Sequence, residues 1–195
     1  SYGEEDYGYS DFIKDRLQEE KKLKIYTKDF AEKNQSINHL YETLLTNEKI
    51  TTGKVEKNIK QTLRESDLVT MTIGLNDIIY HITITPNMNE YKLQQIMKNL
   101  EKDIKILIKE IKTYYPKEIY IIGYPEVPIE NSYIKEGIKK LNKIYKNLEN
   151  VTYISTENII NENDFLYSES IYPSKESYEK VAKEVIKKLA NKKNT

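Results

Sequence analysis

A chain of 195 residues with 31 Lys plus Arg against 31 Asp plus Glu, hence a formal net charge of +0, fits one domain with a sizeable core and lacks the basic excess of a general nucleic-acid binder. It has no cysteine, which excludes disulfides and thiolate metal sites. It also has no apolar run of membrane-spanning length and no signal-peptide pattern.

Residues 1–9 mix glycine, tyrosine and acidic residues without an apolar period and read as a loop. Ser10 or Asp11 can cap a helix over 12–20, with Phe12, Ile13 and Leu17 on one face. Residues 23–30 fit a short strand. Ser36 precedes an amphipathic helix carrying Ile37, Leu40, Tyr41, Leu44 and Leu45, and residues 55–63 pattern as a third helix. Residues 67–73 are a β-branched apolar run that meets Gly74, as expected of a strand buried on both faces. The stretch 82–89, with Pro86, reads as a surface excursion. Residues 91–114 hold the longest helical pattern, from Leu93 to Ile111, and Pro116 follows its end. Strands at 118–123 and 151–155, a helix over 134–148 and a closing helix from Ser174 or Lys175 to Leu189 complete the chain. The lysines at 187, 188, 192 and 193 read as a solvated helix end followed by a tail over 191–195.

Strands alternating with long helices predict one α/β domain over 1–190, its mostly parallel sheet covered on both sides. Ligands of such sheets bind beyond the carboxyl ends of the strands. That rule selects the loops 74–77 and 123–127 and the turn after Ser155. In the first of these, Gly74 lets the backbone turn sharply, and Asn76 can aim a neutral amide at a developing oxyanion. The same four residues also fit a plainer role, in which Asn76 or Asp77 caps the next helix.

The segment Leu166-Tyr167-Ser168-Glu169-Ser170-Ile171-Tyr172-Pro173-Ser174, followed by Tyr178 and Ala182, resembles the last block of the SGNH (GDSL) hydrolases. There the family has an Asp three residues before a His, then a Pro and a helix carrying a Tyr. Gly74, Asn76 and Asp77 match its third block, and Tyr7-Gly8-Tyr9-Ser10-Asp11-Phe12-Ile13 is similar to the segment after its nucleophile loop. Ser1-Tyr2-Gly3 resembles the tail of that loop. The resemblance covers nearly the whole chain in one order and is closest to secreted lipase or acylhydrolase-like proteins of Gram-positive bacteria. It implies a three-layer α/β/α, flavodoxin-like fold and a secreted or membrane-anchored, extracellular place. Its chemistry is serine-esterase chemistry, with no cofactor and no metal. Acyl esters, lipids or acetylated glycans are the implied ligands, and a protein partner stays open.

Carried over by position, the resemblance puts the oxyanion Asn at Asn76, the His at Tyr172, the Asp at Glu169 and the second-block Gly at Asn34. Gly74, Asp77, Asn34 and Tyr124 would then line the substrate side. Tyr2, Tyr7, Tyr9, Tyr124 and Tyr172 would share the rim, or sit as half-buried tyrosines of a Tyr-rich chain. The nucleophile would lie two residues before Ser1, or be Ser1 itself in a shortened loop. The family's first strand precedes that loop inside the sheet. The natural protein is therefore expected to extend further at its N-terminus, because each buried unpaired backbone group costs about 1–3 kcal/mol.

A phenol, with an ordinary pKa of about 10, is a poor base at neutral pH, where imidazole is poised. The only histidines, His39 and His81, lie away from the base position, where either would be a substitute base or a structural residue. No His-x-x-x-His or spaced acid cluster suggests a metal; Glu4, Glu5 and Asp6 read as an acidic surface loop. The expectation is a catalytically degenerate member with a binding or scaffold role. The alternative is an active esterase with an atypical base and an upstream serine.

Overall fold

Side-chain hydrogen bonds to backbone amides set where most of the helices begin in the computed structural model, which describes residues 7–46, 48–52, 55–167 and 170–192. Helix α1 (Tyr9–Glu19) starts where the Gly8 N–H donates to Asp11 Oδ2 at 2.9 Å. Ser36 caps α2 (Ile37–Leu45) by accepting the His39 N–H at 3.1 Å. Asn58 and Gln61 cap α3 (Ile59–Glu65) reciprocally, at 2.9 and 3.1 Å. Asn89 opens α5 (Glu90–Tyr114) and Asn131 opens α6 (Ser132–Lys146) in the same way. Helix α7 (Lys175–Lys192) follows Ser174, whose hydroxyl accepts the Ser177 N–H at 3.4 Å. The exception is α4 (Leu75–Ile84), capped by Gly74 without a side chain.

Hairpin strands β1 (Ile50–Thr52) and β2 (Val55–Lys57) pair antiparallel. The main sheet has the order β3-β4-β5, with β3 (Val69–Met71), β4 (Ile119–Ile122) and β5 (Val151–Ile154) all parallel. Val69 lies opposite Ile119, and Ile119 opposite Val151. Successive side chains of a strand point to opposite faces, yet all four residues of β4 are buried. Both faces of the sheet are therefore covered, as a three-layer α/β/α fold requires. The helices divide accordingly: α1 packs on α7, while α5 packs on α2, α3, α4 and α6. One core cluster runs from Tyr9 in α1 to Val185 in α7.

Four sequence expectations are corrected. Residues 23–30 form no strand. Ile25 there is 77% exposed, and the segment is held instead by side chains, Tyr26 Oη and Lys28 Nζ donating to Asp11 at 3.0 and 2.8 Å. Residues 55–63 are not one helix, because Asn58 ends β2 and caps α3. Residues 82–84 belong to α4, with Ile82 in the core, so the surface turn shrinks to 85–88. The closing helix runs on to Lys192, into the stretch expected as tail. Among the described residues, no helix is long and apolar enough to cross a membrane, and no group of three or more His, Cys, Asp or Glu could hold a metal ion.

Candidate functional site

The carboxyl ends of β3, β4 and β5 converge on a cavity of about 150 Å³. All three loops selected by the strand-end rule contribute: Leu75 and Asn76 after β3, Gly123 to Pro125 and Val127 after β4, and Thr156 after β5. A fourth wall comes from 31–35, and a fifth from Ile171, Tyr172 and Pro173 with Tyr178 and Val181 of α7.

Gly74 creates the first wall. Its φ of +99° is a left-handed conformation that side-chain-bearing residues rarely adopt. A Cβ there would also stand 3.0 Å from the Tyr145 hydroxyl, which donates to the carbonyl of Ile73. The sharp turn starts α4 at once, so Asn76 sits in its first turn with its side chain at the cavity. Among the described residues, nothing hydrogen-bonds the Asn76 amide, leaving its donors free. Asp77, one residue on, does not line the cavity. Its buried carboxylate accepts the Ile37 N–H at 3.2 and 3.3 Å, which caps α2 from another helix. Burial raises the Asp77 pKa, and the Ile37 N–H offsets part of that rise.

That bond ties the first turn of α4 to the chain just after the 31–35 wall. Within this wall Asn34 has φ +61°, again left-handed. Asn34 and Tyr172, set by the resemblance in its second and last blocks, are in direct contact: the Tyr172 hydroxyl donates to Asn34 Oδ1 at 3.0 Å. Lys33 Nζ lies 5.9 Å from the Tyr172 ring centroid. The Tyr172 backbone is itself fixed, its N–H donating to Ser170 Oγ at 3.0 Å and its carbonyl accepting from the Leu166 N–H at 3.2 Å.

Tyr124 is held at both ends. Asn142 brackets its backbone, accepting the N–H at 2.9 Å and donating to the carbonyl at 2.7 Å. Burial raises the pKa of its phenol, and the nearby Leu75 N–H offsets part of that rise. Tyr9 is buried, and burial raises its pKa against a partial offset from Thr70 and Thr72. Burial raises the pKa of Tyr9, Tyr124 and Tyr178, so these three phenols are neutral at neutral pH. Among the described residues, the charged members of the lining are Glu32 and Lys33, and both are exposed. The site is a neutral, amphipathic cavity with amide and phenol groups in its walls.

Neither histidine lines it. His39 lies outside, its Nδ1 3.5 Å from a Glu32 carboxylate oxygen, and His81 is in the last turn of α4 against Tyr80. Of the expected site residues, Asn34, Asn76, Tyr124 and Tyr172 meet in the cavity, while Gly74 and Asp77 stand behind its wall. Ser1 and Glu169 lie outside the described residues. Of the tyrosines expected at the rim, Tyr9 lines the cavity and Tyr7 instead packs edge-on against Phe12 at 5.0 Å, while Tyr2 also lies outside the described residues. Gln35, Thr72 and Thr156 also line the cavity and carry no motif; of the three, Thr156 lies in a turn that the strand-end rule selects.

The family model described as GDSL-like Lipase/Acylhydrolase matches residues 3–185. The chain belongs to the GDSL-like lipase/acylhydrolase family. Solved structures share the fold of this GDSL-like chain. A lipase from a goat rumen metagenome is 16% identical, with TM-score 0.71 over 93% of this chain and 87% of its own. A catalytic mutant of an acetylxylan esterase from Geobacillus stearothermophilus is 16% identical, with TM-score 0.65 over 96% and 83%. A carbohydrate esterase family 3 protein from Talaromyces cellulolyticus is 9% identical, with TM-score 0.55 over 95% and 90%. Comparison with the curated proteins gave no match. Within the GDSL-like family, the carboxyl-end cavity of this chain is built around Asn76, with a phenol–amide contact across its mouth.

Proposed function

We propose that this GDSL-like protein binds a short-chain acyl ester in the strand-end cavity and has lost Ser–His turnover, so that its role is binding or scaffolding. The observation that carries this reading is the Tyr172–Asn34 hydrogen bond. By the resemblance, Tyr172 stands where the family has its base. Its hydroxyl proton is directed to the amide oxygen of Asn34. No imidazole lines the cavity to replace it. Size bounds the ligand: an engineered protein cavity of about 150 Å³ takes one benzene. A cavity of this volume has room for an acetyl or similarly short acyl group. Among acyl esters, lipids and acetylated glycans, a short acyl ester or an acetylated glycan matches that size. A secreted or membrane-anchored place outside the cell belongs to the same proposal, on the resemblance alone.

One observation favours a second reading, an active esterase with a serine upstream of Ser1 and an atypical base. Asn76 keeps an unengaged amide at the cavity, as an oxyanion donor would.

Hydrolysis of p-nitrophenyl acetate and butyrate by the protein as the cell makes it separates the two. The parent is expected to show no turnover above background and no labelling by a fluorophosphonate, and Tyr172→His is expected to gain turnover. Turnover in the parent that is lost in Asn76→Ala would overturn the degenerate reading.

A further inference from the structure

Gln35 Nε2 is buried and has no hydrogen-bond partner, and it is the one such side-chain atom among the described residues. Gln35 also lines the cavity. Native proteins pair nearly all buried polar groups, so an unpaired buried donor in a residue of the cavity wall calls for a partner. We propose that Gln35 is a ligand-binding residue whose side-chain amide donates to an acceptor oxygen of the bound ligand, acting beside the Asn76 amide.

Three features support this assignment. The first is position. Gln35 precedes Ile37 by two residues and Asn76 precedes Asp77 by one. The Asp77–Ile37 hydrogen bonds, at 3.2 and 3.3 Å, therefore pin the two amides on adjoining walls of one cavity. The second is order. Ser36 is fixed as the cap of α2, and the Asn34 backbone is locked in its left-handed turn, so the residue between them has little freedom. The third is charge. Among the described residues, the charged members of the lining, Glu32 and Lys33, are exposed, and burial raises the pKa of three of its phenols further above neutral pH. A carboxylate drawn in among these described groups would exchange water for neutral donors, which is costly. The ligand group is therefore a neutral oxygen acceptor. With two separate amide donors, a molecule with more than one such oxygen fits best. The ester as the ligand class rests on the proposed function above; the donor role of Gln35 does not.

The test uses nuclear magnetic resonance of the uniformly 15N-labelled protein titrated with two probes. Triacetin is a neutral short-acyl ester, and dimethyl sulfoxide is a neutral acceptor that is not an ester. The Gln35 side-chain NH2 pair is identified by its loss in Gln35→Met. Triacetin is expected to shift this pair in a saturable way, and Gln35→Met is expected to weaken triacetin binding at least tenfold. Because the open donor is a burden in the free protein, the same variant is expected to keep or raise the Tm. Gln35→Glu keeps the size and loses the donors, so it is expected to weaken binding similarly at neutral pH. Shifts with dimethyl sulfoxide and none with triacetin would uphold Gln35 and overturn the ester reading. Triacetin binding that is unchanged in Gln35→Met would overturn Gln35 and uphold the ester reading. No response of the pair to either probe, or a lowered Tm in Gln35→Met, would overturn the proposal.

Discussion

The Tyr172 hydroxyl reaches across 138 residues of chain to donate to Asn34 Oδ1 at 3.0 Å, joining the two segments that close the mouth of the cavity. Asn34 contributes its backbone as well as its amide, because φ +61° places it in the left-handed region. Asparagine tolerates that region better than residues with larger β-carbon substituents, and alanine pays about 1–2 kcal/mol there. Asn34→Ala is therefore expected to lower stability by about 1–2 kcal/mol in urea denaturation. Asn34→Gly keeps the turn and is expected to stay within about 1 kcal/mol of the parent. Tyr172→Phe removes one solvent-accessible hydrogen bond and is expected to cost less than about 1 kcal/mol. A large loss in Tyr172→Phe would mean that the contact holds the fold together and does more than close the cavity.

Asp77 makes its contribution through another helix. Its buried carboxylate accepts the Ile37 N–H, so Asp77→Ala leaves that amide unpaired, a loss of about 1–3 kcal/mol. The pH dependence has a definite sign. Burial raises the folded-state pKa, so the folded protein binds this proton more tightly than the unfolded chain does. The corresponding stability is complete below the ordinary carboxylate pKa of about 3.9 and is lost as pH rises through the raised value. Asp77→Asn lacks this titration. The stability of the Asn variant relative to the parent is therefore expected to climb with pH just above 3.9 and then level off. Denaturant midpoints taken between pH 3 and 7 check this, and a parallel pair of curves would contradict it.

The order of elements was readable because the core strands and helices carry unambiguous periods. Ile119-Tyr120-Ile121-Ile122 is apolar throughout because both faces of β4 are covered, and Leu93 to Ile111 keeps a helical spacing along α5. Residues 23–30 misled because their apolar character suggested a ladder, whereas Tyr26 and Lys28 are held by the single carboxylate of Asp11. A link between side chains fifteen and seventeen residues apart leaves no local period to read. The cavity was half legible for the same kind of reason. Asn76 follows a glycine at a strand end, a local pattern, and Asn34 and Tyr172 came from the order of motifs. Gln35 carries no motif: its meaning arises only once the Asp77–Ile37 bond brings α2 beside α4.

Gly74 is the position where the wall of the cavity depends on the absence of a side chain. With φ +99°, an alanine meets backbone strain of about 1–2 kcal/mol. Its Cβ would also press on Tyr145 Oη at 3.0 Å and Leu141 Cδ2 at 3.3 Å. Both are buried core atoms of α6, and the tyrosine is engaged with the Ile73 carbonyl. Gly74→Ala is expected to cost at least about 2 kcal/mol in urea denaturation. Tyr145→Phe in the same background removes the closer contact but leaves the Ile73 carbonyl unpaired, so it is not expected to restore the parent stability.

Asp11 gives the opposite pH signature to Asp77. Its side chain is 6% exposed, and burial alone would raise its pKa. Donation from Lys28 at 2.8 Å, from the Gly8 N–H at 2.9 Å and from Tyr26 at 3.0 Å outweighs burial and leaves the pKa lowered. A lowered carboxylate contributes stability that is present above about 3.9 and is lost as pH falls through the folded-state value. Asp11→Asn is expected to cost about 1–3 kcal/mol at pH 7, because all three donors lose a charged acceptor. The parent and variant curves should converge as pH falls through the lowered folded-state value, where the parent carboxylate is protonated too. The effect should also reach the cavity. Asp11 joins the start of α1, which carries Tyr9, to Lys28, whose carbonyl accepts the Ala31 N–H at 2.8 Å at the head of the 31–35 wall. Asp11→Asn is accordingly expected to raise amide hydrogen exchange at Ala31 and Gln35 more than in α5. Uniform protection across both segments would show that the wall is held by other contacts.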